Sequence, residues 1–281
     1  MKHTTMFGAC ALLATLATMS SAAQGPAFVT IDVPGATATF AARINNRGQI
    51  VGGYTDGSGA EHGFLLDSST FTTIDIPGAT GTAVFGINNA GAIAGVYIDA
   101  AATEHGFLLD DGVFTTIDPP GSTLTDAFDI NNAGQIVGHY RDVGGTYHGF
   151  LFDAGVFTTI DPQGSVFTQA IGINAAGDIV GAFEAPRHHG FLFNKGAFTT
   201  VDVPGQRSTD ALGVSAAGDV VGRYEDVSGT VHGFVWDKGA VTTIDPPGST
   251  FTEAIGINSR GQVVGDYRDA NGMFHGFLAT R

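Results

Sequence analysis

The sequence predicts an all-β fold built from six copies of one antiparallel unit, and three recurring motifs carry the prediction. The triplet His-Gly-Phe recurs about every 43 residues, beginning at His62, His105, His148, His189, His232 and His275. The motif Ile-Asn-x-x-Gly begins at Ile44, Ile87, Ile130, Ile173 and Ile257, with Val214-Ser215 as the variant in the remaining copy. The motif (Phe/Val)-x-Thr-(Ile/Val)-Asp begins at Phe28, Phe71, Phe114, Phe157, Phe198 and Val241. Because all three motifs keep one register, the repeat itself defines the fold.

Each copy contains four predicted strands, as the segment from Leu124 to Asp161 illustrates. Leu124–Asn131 alternates between apolar and polar residues and runs into an Asn-Asn-Ala-Gly turn. Three further β-branched or aromatic runs follow, each preceded by a Gly- or Asp-containing turn: Gln135–Arg141, Tyr147–Phe152 and Val156–Asp161. A Pro-Gly turn then leads to the next copy. Beyond the first 24 residues, no run has the 3.6-residue apolar period of a helix.

Four antiparallel strands in about 43 residues, repeated six times, are typical of a six-bladed β-propeller with four-stranded blades. The alternative is a parallel β-helix, whose coils are usually shorter and whose turns are not antiparallel hairpins. The two ends of the repeat region favour the propeller. Phe28–Asp32 corresponds to a fourth strand without its first three, and His275–Leu278 to a third strand without its fourth. We therefore predict that the N-terminal strand pairs in the last blade and closes the ring.

Residues 1–23 have the pattern of an export signal. A positively charged start precedes the apolar stretch Met6–Met19, and a small-residue cleavage site ends at Ala23. Cys10 leaves a lipoprotein signal open as an alternative. Residues 24–281 then form a single propeller domain, which contains no Cys and no second long apolar segment. We expect a secreted or periplasmic monomer that does not insert into a membrane after signal cleavage.

Charge and motif content limit the classes of function. The 27 Asp and Glu residues outnumber the 12 Lys and Arg residues and give a net charge of −15. Phosphate repulsion therefore excludes nucleic acid as a partner. The nucleophile elbow Gly-x-Ser-x-Gly, the Walker A loop, the His-Glu-x-x-His zinc motif and the dinucleotide-binding glycine motif are missing from the sequence. The sequence accordingly assigns no catalytic residue and favours a protein that is not an enzyme.

One longer motif connects the repeat to a known family. The pattern Gly-Ile-Asn-x-x-Gly-(Gln/Asp)-(Ile/Val)-Val-Gly-x-Tyr, followed by His-Gly-Phe-(Leu/Val), resembles the extracellular HAF repeats of bacterial exported proteins. Gly256–Tyr267 with His275–Leu278, and also His232–Trp236, match it best, and the resemblance extends over residues 28–281. The family usually has His-Ala-Phe where this chain has His-Gly-Phe. The resemblance implies an exported repeat protein, and it implies no role for any single residue.

Positions at which the copies differ are the candidates for a binding site. Four residues before the Ile-Asn motif, the copies carry in turn Phe40, Ala83, Asp126, Gln169, Asp210 and Glu253. This position lies near the start of the innermost strand, so we expect the last four residues to form an acidic arc at the mouth of the central channel. Directly before the same motif, Arg43 and Asp129 replace a glycine that the other four copies share. The candidate ligand-binding residues are Asp126, Gln169, Asp210, Glu253, Arg43 and Asp129.

The acidic arc also bears on cofactors. Carboxylates crowded in a channel mouth repel one another, so we expect a raised pKa on at least one of them or a cation between them. Ca²⁺ prefers carboxylate and amide oxygens, which makes it the ion that such a site would take. The six repeated histidines are expected to be structural, because one residue per blade cannot converge on a metal ion. His139 and His188 fall outside the repeat pattern and receive no role.

Two classes of function remain. The first is an exported non-catalytic binding or scaffold module for a carbohydrate, a peptide or a cell-surface partner. The alternative is a secreted glycan-active hydrolase or lyase that uses arc carboxylates as acid and base. The near-identical copies and the missing catalytic motifs favour the first class.

Overall fold

The structure, a computed structural model, describes residues 25–280, and the predicted export signal at residues 1–23 lies outside them. The described residues form 24 strands and contain no helix, and so no helix of the length and apolarity that crossing a membrane requires. The strands are β1 (Ala27–Ile31), β2 (Ala38–Ile44), β3 (Ile50–Thr55), β4 (Glu61–Asp67), β5 (Thr70–Ile74), β6 (Gly81–Ile87), β7 (Ile93–Ile98), β8 (Glu104–Asp110), β9 (Val113–Thr116), β10 (Leu124–Ile130), β11 (Ile136–Arg141), β12 (Tyr147–Asp153), β13 (Val156–Ile160), β14 (Phe167–Ile173), β15 (Ile179–Glu184), β16 (His188–Asn194), β17 (Ala197–Val201), β18 (Ser208–Val214), β19 (Val220–Glu225), β20 (Val231–Asp237), β21 (Ala240–Thr243), β22 (Phe251–Ile257), β23 (Val263–Arg268) and β24 (Phe274–Thr280).

These strands form five sheets, which corrects the prediction of six separate four-stranded blades. Four sheets have four strands each: β2–β5, β6–β9, β18–β21, and β22–β24 with β1. The strands from β10 to β17 form one continuous sheet of eight. A single parallel pair joins its two halves, between Tyr147 in β12 and Phe167 in β14. The rings of these two residues are in contact, with centroids 5.5 Å apart, and this contact draws the two strands together.

The predicted closure of the ring is confirmed. β1, the first strand of the described chain, pairs antiparallel with β24, the last, in register from Ala27 opposite Thr280 to Ile31 opposite Gly276. Asp32, directly after β1, contacts the imidazole of His275 at 3.0 Å. The two ends of the described chain therefore complete one sheet together, and its edge is covered.

The first strand of each four-strand unit is its most buried strand and the fourth is its most exposed, as β6 and β9 illustrate. The sheets therefore radiate from a central axis with the first strands innermost. Apolar side chains packed between neighbouring sheets form the core. The Phe of every His-Gly-Phe motif is at most 1 % exposed there: Phe64, Phe107, Phe150, Phe191, Phe234 and Phe277.

The repeated polar residues build the units, as their symmetry predicts. Each motif histidine contacts, through Nδ1, a carboxylate oxygen of the Asp that follows a fourth strand, at 2.6 to 3.0 Å. Its ring also packs on the Tyr or Phe of the second strand, as His62 does on Tyr54. In the turn after the second strand, Asp56 accepts backbone N–H groups from Ser58 and Ala60.

Candidate functional site

A cup of about 530 Å³ opens at one end of the central channel. Each of the six innermost strands contributes one residue to the mostly apolar floor of the cup. This residue lies two positions after the one that stands four before the Ile-Asn motif: Ala42, Phe85, Phe128, Ile171, Leu212 and Ile255. The wall of the cup contains residues of the arc together with residues of the second strands. A concave site of this volume, with an apolar base and a few polar groups, is typical of small-molecule binding. We call it the channel cup.

Arg43 and Asp129 lie directly beneath the cup floor and close the channel. Arg43 Nε is 3.1 Å from Asp129 Oδ2, and both side chains are at most 10 % exposed. The two Nη atoms of Arg43 donate hydrogen bonds of 2.6 to 3.1 Å to the carbonyls of Ala42, Ile171, Leu212 and Ile255. Five of the six units thus contribute to one ion pair, which we call the channel plug. The sequence predicts both residues as ligand-binding residues, whereas the structure places them below the cup rather than in its wall.

The plug fills room that small neighbours provide. Asp129 also accepts the backbone N–H groups of Ile130 and Ile173, at 2.9 and 3.0 Å. Burial raises the pKa of Asp129, and the Arg43 guanidinium and these N–H groups oppose that shift. Glycine occupies the equivalent position in the other four units, and a Cβ atom on Gly86 would lie only 2.7 Å from the Cα atom of Asp129. Side chains at all six positions would therefore not fit around the axis.

Asparagines surround the opposite end of the channel. Each side-chain Nδ2 donates to the backbone carbonyl of the equivalent residue in the next unit, and each Oδ1 accepts N–H groups of its own turn. The donors are Asn45, Asn88, Asn131, Asn174 and Asn258. Ser215 holds the sixth position, where its hydroxyl accepts the N–H groups of Ala217 and Asp219. Among the described residues, this asparagine belt therefore has five of its six links between units.

The structure brings three of the predicted arc residues into the cup wall: Asp126, Gln169 and Glu253. Asp210 instead faces an adjoining pocket of about 370 Å³ that His188 also lines. His188 Nδ1 lies 3.5 Å from Asp210 Oδ1. Burial opposes the change, but His188 and Arg223 together lower the pKa of Asp210. The opposite side of the cup combines the apolar residues Phe40, Ala83, Val96 and Ile98 with the carboxyl groups of Glu61 and Glu104.

Asp126, His139 and Gln169 form one polar network in the wall. The His139 residue is 5 % exposed, and its Nδ1 accepts a 2.8 Å hydrogen bond from Gln169 Nε2. The imidazole proton is therefore on Nε2, which lies 3.3 Å from Asp126 Oδ2. Burial lowers the pKa of His139 to about 4, while burial and the nearby Glu104 raise the pKa of Asp126 to about 7. Between these values both groups are neutral, and the raised pKa expected for the arc belongs to Asp126.

Arg223 supplies the cation that the arc was expected to need. Its Nε donates a 2.6 Å hydrogen bond to Asp210 Oδ2, and its Nη1 donates to Glu253. Burial lowers the pKa of Arg223, but the carboxylates of Glu253 and Asp210 raise it above its ordinary value. Within residues 25–280, no group of three or more His, Cys, Asp or Glu side chains is arranged to hold a metal ion. The guanidinium occupies the place expected for Ca²⁺, so the geometry lends that ion no support.

Asp266 is the most buried carboxyl group in the cup wall. It faces Glu253 across the pair β22–β23, lines the cup and is 3 % exposed. Its carboxyl group has no hydrogen-bond donor among the described residues. Burial and the Glu253 carboxylate raise the pKa of Asp266 well above its usual value, against the influence of Arg223. Burial likewise raises the pKa of Glu253, which Arg223 opposes.

Three residues of this site were missed by sequence reasoning: His139, Arg223 and Asp266. All three occupy the variable position x of the motif Val-Gly-x-Tyr. Across the units this position is Gly53, Val96, His139, Ala182, Arg223 and Asp266. In the pair of first and second strands, each of these residues lies opposite the residue that stands four before the Ile-Asn motif of the same unit. The signal was present in the sequence, because chemically diverse residues stand between nearly constant neighbours at x.

Comparison with known proteins gives structural matches. No family model and no curated protein matches the chain. The lectin of Aleuria aurantia, solved in complex with Fucα1-6GlcNAc, aligns with a TM-score of 0.54 at 12 % identity, over 86 % of this chain and 91 % of that one. The β-propeller domain of the Trilobed protease from Pyrococcus furiosus aligns with a TM-score of 0.55 at 11 % identity, over 87 % and 94 %. TolB from Acinetobacter baumannii aligns with a TM-score of 0.57 at 12 % identity, over 83 % and 64 %.

These neighbours differ in function, and identities of 11 to 12 % bear on the fold alone. One is a lectin, one is part of a protease, and all match this chain over more than four fifths of its length. The radial sheets, the closure by β1 and these alignments agree. The chain has an all-β propeller fold.

Proposed function

We propose that this protein is an exported, non-catalytic binding module that holds a carbohydrate in the channel cup. In this proposal the ring has six units, because the eight-stranded sheet divides at the Tyr147–Phe167 bridge into β10–β13 and β14–β17. Export is inferred from the signal pattern in residues 1–23 and from the resemblance to HAF repeats.

The observation that carries the proposal is the two-sided lining of the cup. Phe40 on one side, with Phe85 and Phe128 in the floor, offers apolar and aromatic surface. The amide of Gln169 stands on the other side, and the carboxyl group of Glu253 lies on a strand that packs against the strand of Phe40. A sugar ring has apolar C–H faces and hydroxyl groups at its edge, so it needs surfaces of both kinds within one concavity.

Two further observations support binding over the hydrolase or lyase alternative. The Aleuria aurantia lectin has the same fold and was solved with a bound disaccharide, which supports a carbohydrate ligand at the level of fold analogy. In this chain, Arg223 bonds to both Asp210 and Glu253. Carboxylates held in such ion pairs are poor proton carriers, because protonation would break the pair.

A glycan array followed by calorimetry tests the proposal. We expect the purified protein to bind a defined set of oligosaccharides without releasing reducing ends from them. Phe40→Ala removes apolar surface from the cup wall and should weaken binding about tenfold. Phe114→Ala is the matched control, because Phe114 lies on the exposed fourth strand β9 and should leave affinity unchanged.

The outcomes separate the two classes of function. Binding to no glycan, or equal affinities in the Phe40 and Phe114 variants, would contradict the proposal. Release of reducing ends that Glu253→Gln abolishes would establish the glycan-active alternative instead.

A further inference from the structure

We propose that the channel cup selects an amino sugar, with the Asp266 carboxylate receiving the protonated amine while the sugar ring lies against Phe40. This inference rests on the proposed carbohydrate function and specifies its ligand. Three features of the described residues carry it: the charge of the lining, the unpartnered Asp266, and the position of Phe40 beside it.

The lining of the cup is strongly acidic. Five carboxyl groups line it: Glu61, Glu104, Asp126, Glu253 and Asp266. The guanidinium of Arg223 lines it as well, but Asp210 and Glu253 already use its donors. The imidazole of His62 is engaged by Asp75. A ligand that enters the cup therefore meets five carboxyl groups and one guanidinium that is already engaged. The protonated Asp126 and Asp266 can release their protons when a cation binds, so the lining favours a cation and disfavours an anion.

Asp266 gives this charge a specific position. Its neighbour Glu253 is held by Arg223, whereas Asp266, at 3 % exposure, has no donor among the described residues. A buried carboxyl group without a donor is costly, and it lowers that cost by keeping its proton. An ammonium group brings three N–H donors and a compensating charge, so its binding releases the Asp266 proton to solvent and leaves a carboxylate paired with the amine. An amine in the cup would therefore supply the donors that Asp266 lacks among the described residues.

The surroundings of Asp266 indicate what carries the amine. The strand β2, which bears Phe40, packs on β23, which bears Asp266, across the closed junction of the ring. The Phe40 ring is held in place by Phe274, with ring centroids 5.3 Å apart. A flat apolar face and a buried acceptor thus line the same cup from two strands that pack on each other. An amino sugar offers an apolar ring face, an ammonium group and hydroxyl groups for Gln169 on the same small molecule.

Isothermal titration with matched tetrasaccharides tests the inference. The ligands are the β-1,4-linked tetramer of glucosamine, its fully N-acetylated and therefore uncharged counterpart, and the linear amine spermidine. We expect the glucosamine tetramer to bind at least tenfold more tightly than the N-acetylated tetramer. Asp266→Asn keeps the shape of the side chain but cannot accept the charge, so it should abolish this preference.

A control variant separates a specific site from general attraction to an acidic protein. Asp111→Asn removes one carboxylate from an exposed turn and should keep the full preference. Equal preference in the Asp266 and Asp111 variants would overturn the role of Asp266. Spermidine that binds as tightly as the glucosamine tetramer would overturn the sugar component of the inference.

The same titrations distinguish this inference from the proposed function. Equal affinity for the two tetramers would remove the preference for an amine and leave carbohydrate binding in place. Binding of neither tetramer here, with no ligand found on the wider array, would remove both. Asp266→Asn removes a buried carboxyl group whose raised pKa costs stability at neutral pH. Its melting temperature should therefore be at least that of the native protein, which confirms that the variant is folded.

Discussion

At the scale of single residues, the Asp126 carboxyl group links the site to stability. Its pKa rises from 3.8 to about 7 on folding, because burial and Glu104 disfavour the charged form. The folded state therefore holds a proton that the unfolded chain releases above about pH 4. Stability should fall as pH rises from about 4 to about 7, and the full penalty should be present above pH 7.

Asp126→Asn tests this linkage because it removes the titration and keeps the shape. Three pKa units correspond to about 4 kcal/mol, which is the upper limit of the expected effect. Relative to the native protein, the variant should gain up to that amount in free energy of unfolding between pH 4 and pH 8. Urea unfolding at a series of pH values measures the gain. Asp111→Asn is the control, and a stability profile for Asp126→Asn parallel to that of the control would contradict the assignment.

The residue scale also shows what sequence could and could not reveal about the site. Phe40, Asp126 and Glu253 were identifiable because they vary at a fixed place in the repeat. Asp266 also varies at a fixed place, position x of Val-Gly-x-Tyr, but its importance was hidden because it depends on the strand register that sets it opposite Glu253. The meeting of Arg43 with Asp129 was likewise hidden, since it depends on the geometry of the axis, where side chains from distant units converge.

At the scale of elements, the asparagine belt has one missing link at Ser215. The Asn side chains at the equivalent turns each donate a hydrogen bond to the next unit, for example from Asn174 to the carbonyl of Ser215 at 3.1 Å. Ser215→Asn should supply the sixth donor, to the carbonyl of Asn258. We expect a gain of about 1 kcal/mol in free energy of unfolding, as one buried hydrogen bond contributes.

The reverse change provides the comparison. Asn131→Ser removes an existing link, from Nδ2 of Asn131 to the carbonyl of Asn174, and should cost a similar amount or more. Denaturant unfolding of both variants at one pH measures the two effects. A Ser215→Asn variant that is no more stable than the native protein would refute this account of the belt.

Individual strands were far easier to predict than their assembly into sheets. The alternating runs and Gly-containing turns located all four strands of the segment from Leu124 to Asp161, because strand pattern and turn chemistry are local properties. The fusion of two units into one sheet was not predictable. It depends on an aromatic contact between Tyr147 and Phe167, and only this pair of units places aromatic residues at both positions.

At the scale of the whole molecule, the ring depends on a strand of only five residues. Strand β1 supplies Ile31, which is 5 % exposed, and Phe28, whose ring packs on Phe277. Deleting residues 26–32 should therefore cost about 5 kcal/mol or more through lost burial. For a domain of this size, the melting temperature should fall by about 10 °C or more.

Two comparisons make that deletion informative. Val29→Ala changes a side chain of the same strand that is 58 % exposed, and it should leave the melting temperature nearly unchanged. A synthetic peptide of residues 25–33 should restore part of the stability of the deleted protein. Melting of the deleted protein at the native temperature would show that β1 is dispensable for closure.

The channel plug has a consequence for polymeric ligands. Because Arg43 binds carbonyl groups of four units across the axis, a chain that enters the cup cannot pass through the ring and leave at the asparagine belt. Only a terminus or a short branch can reach the floor. The amount of protein that binds to a polymer would then scale with the number of free ends of that polymer. Cutting a long polymer into shorter pieces would therefore increase the amount of protein bound.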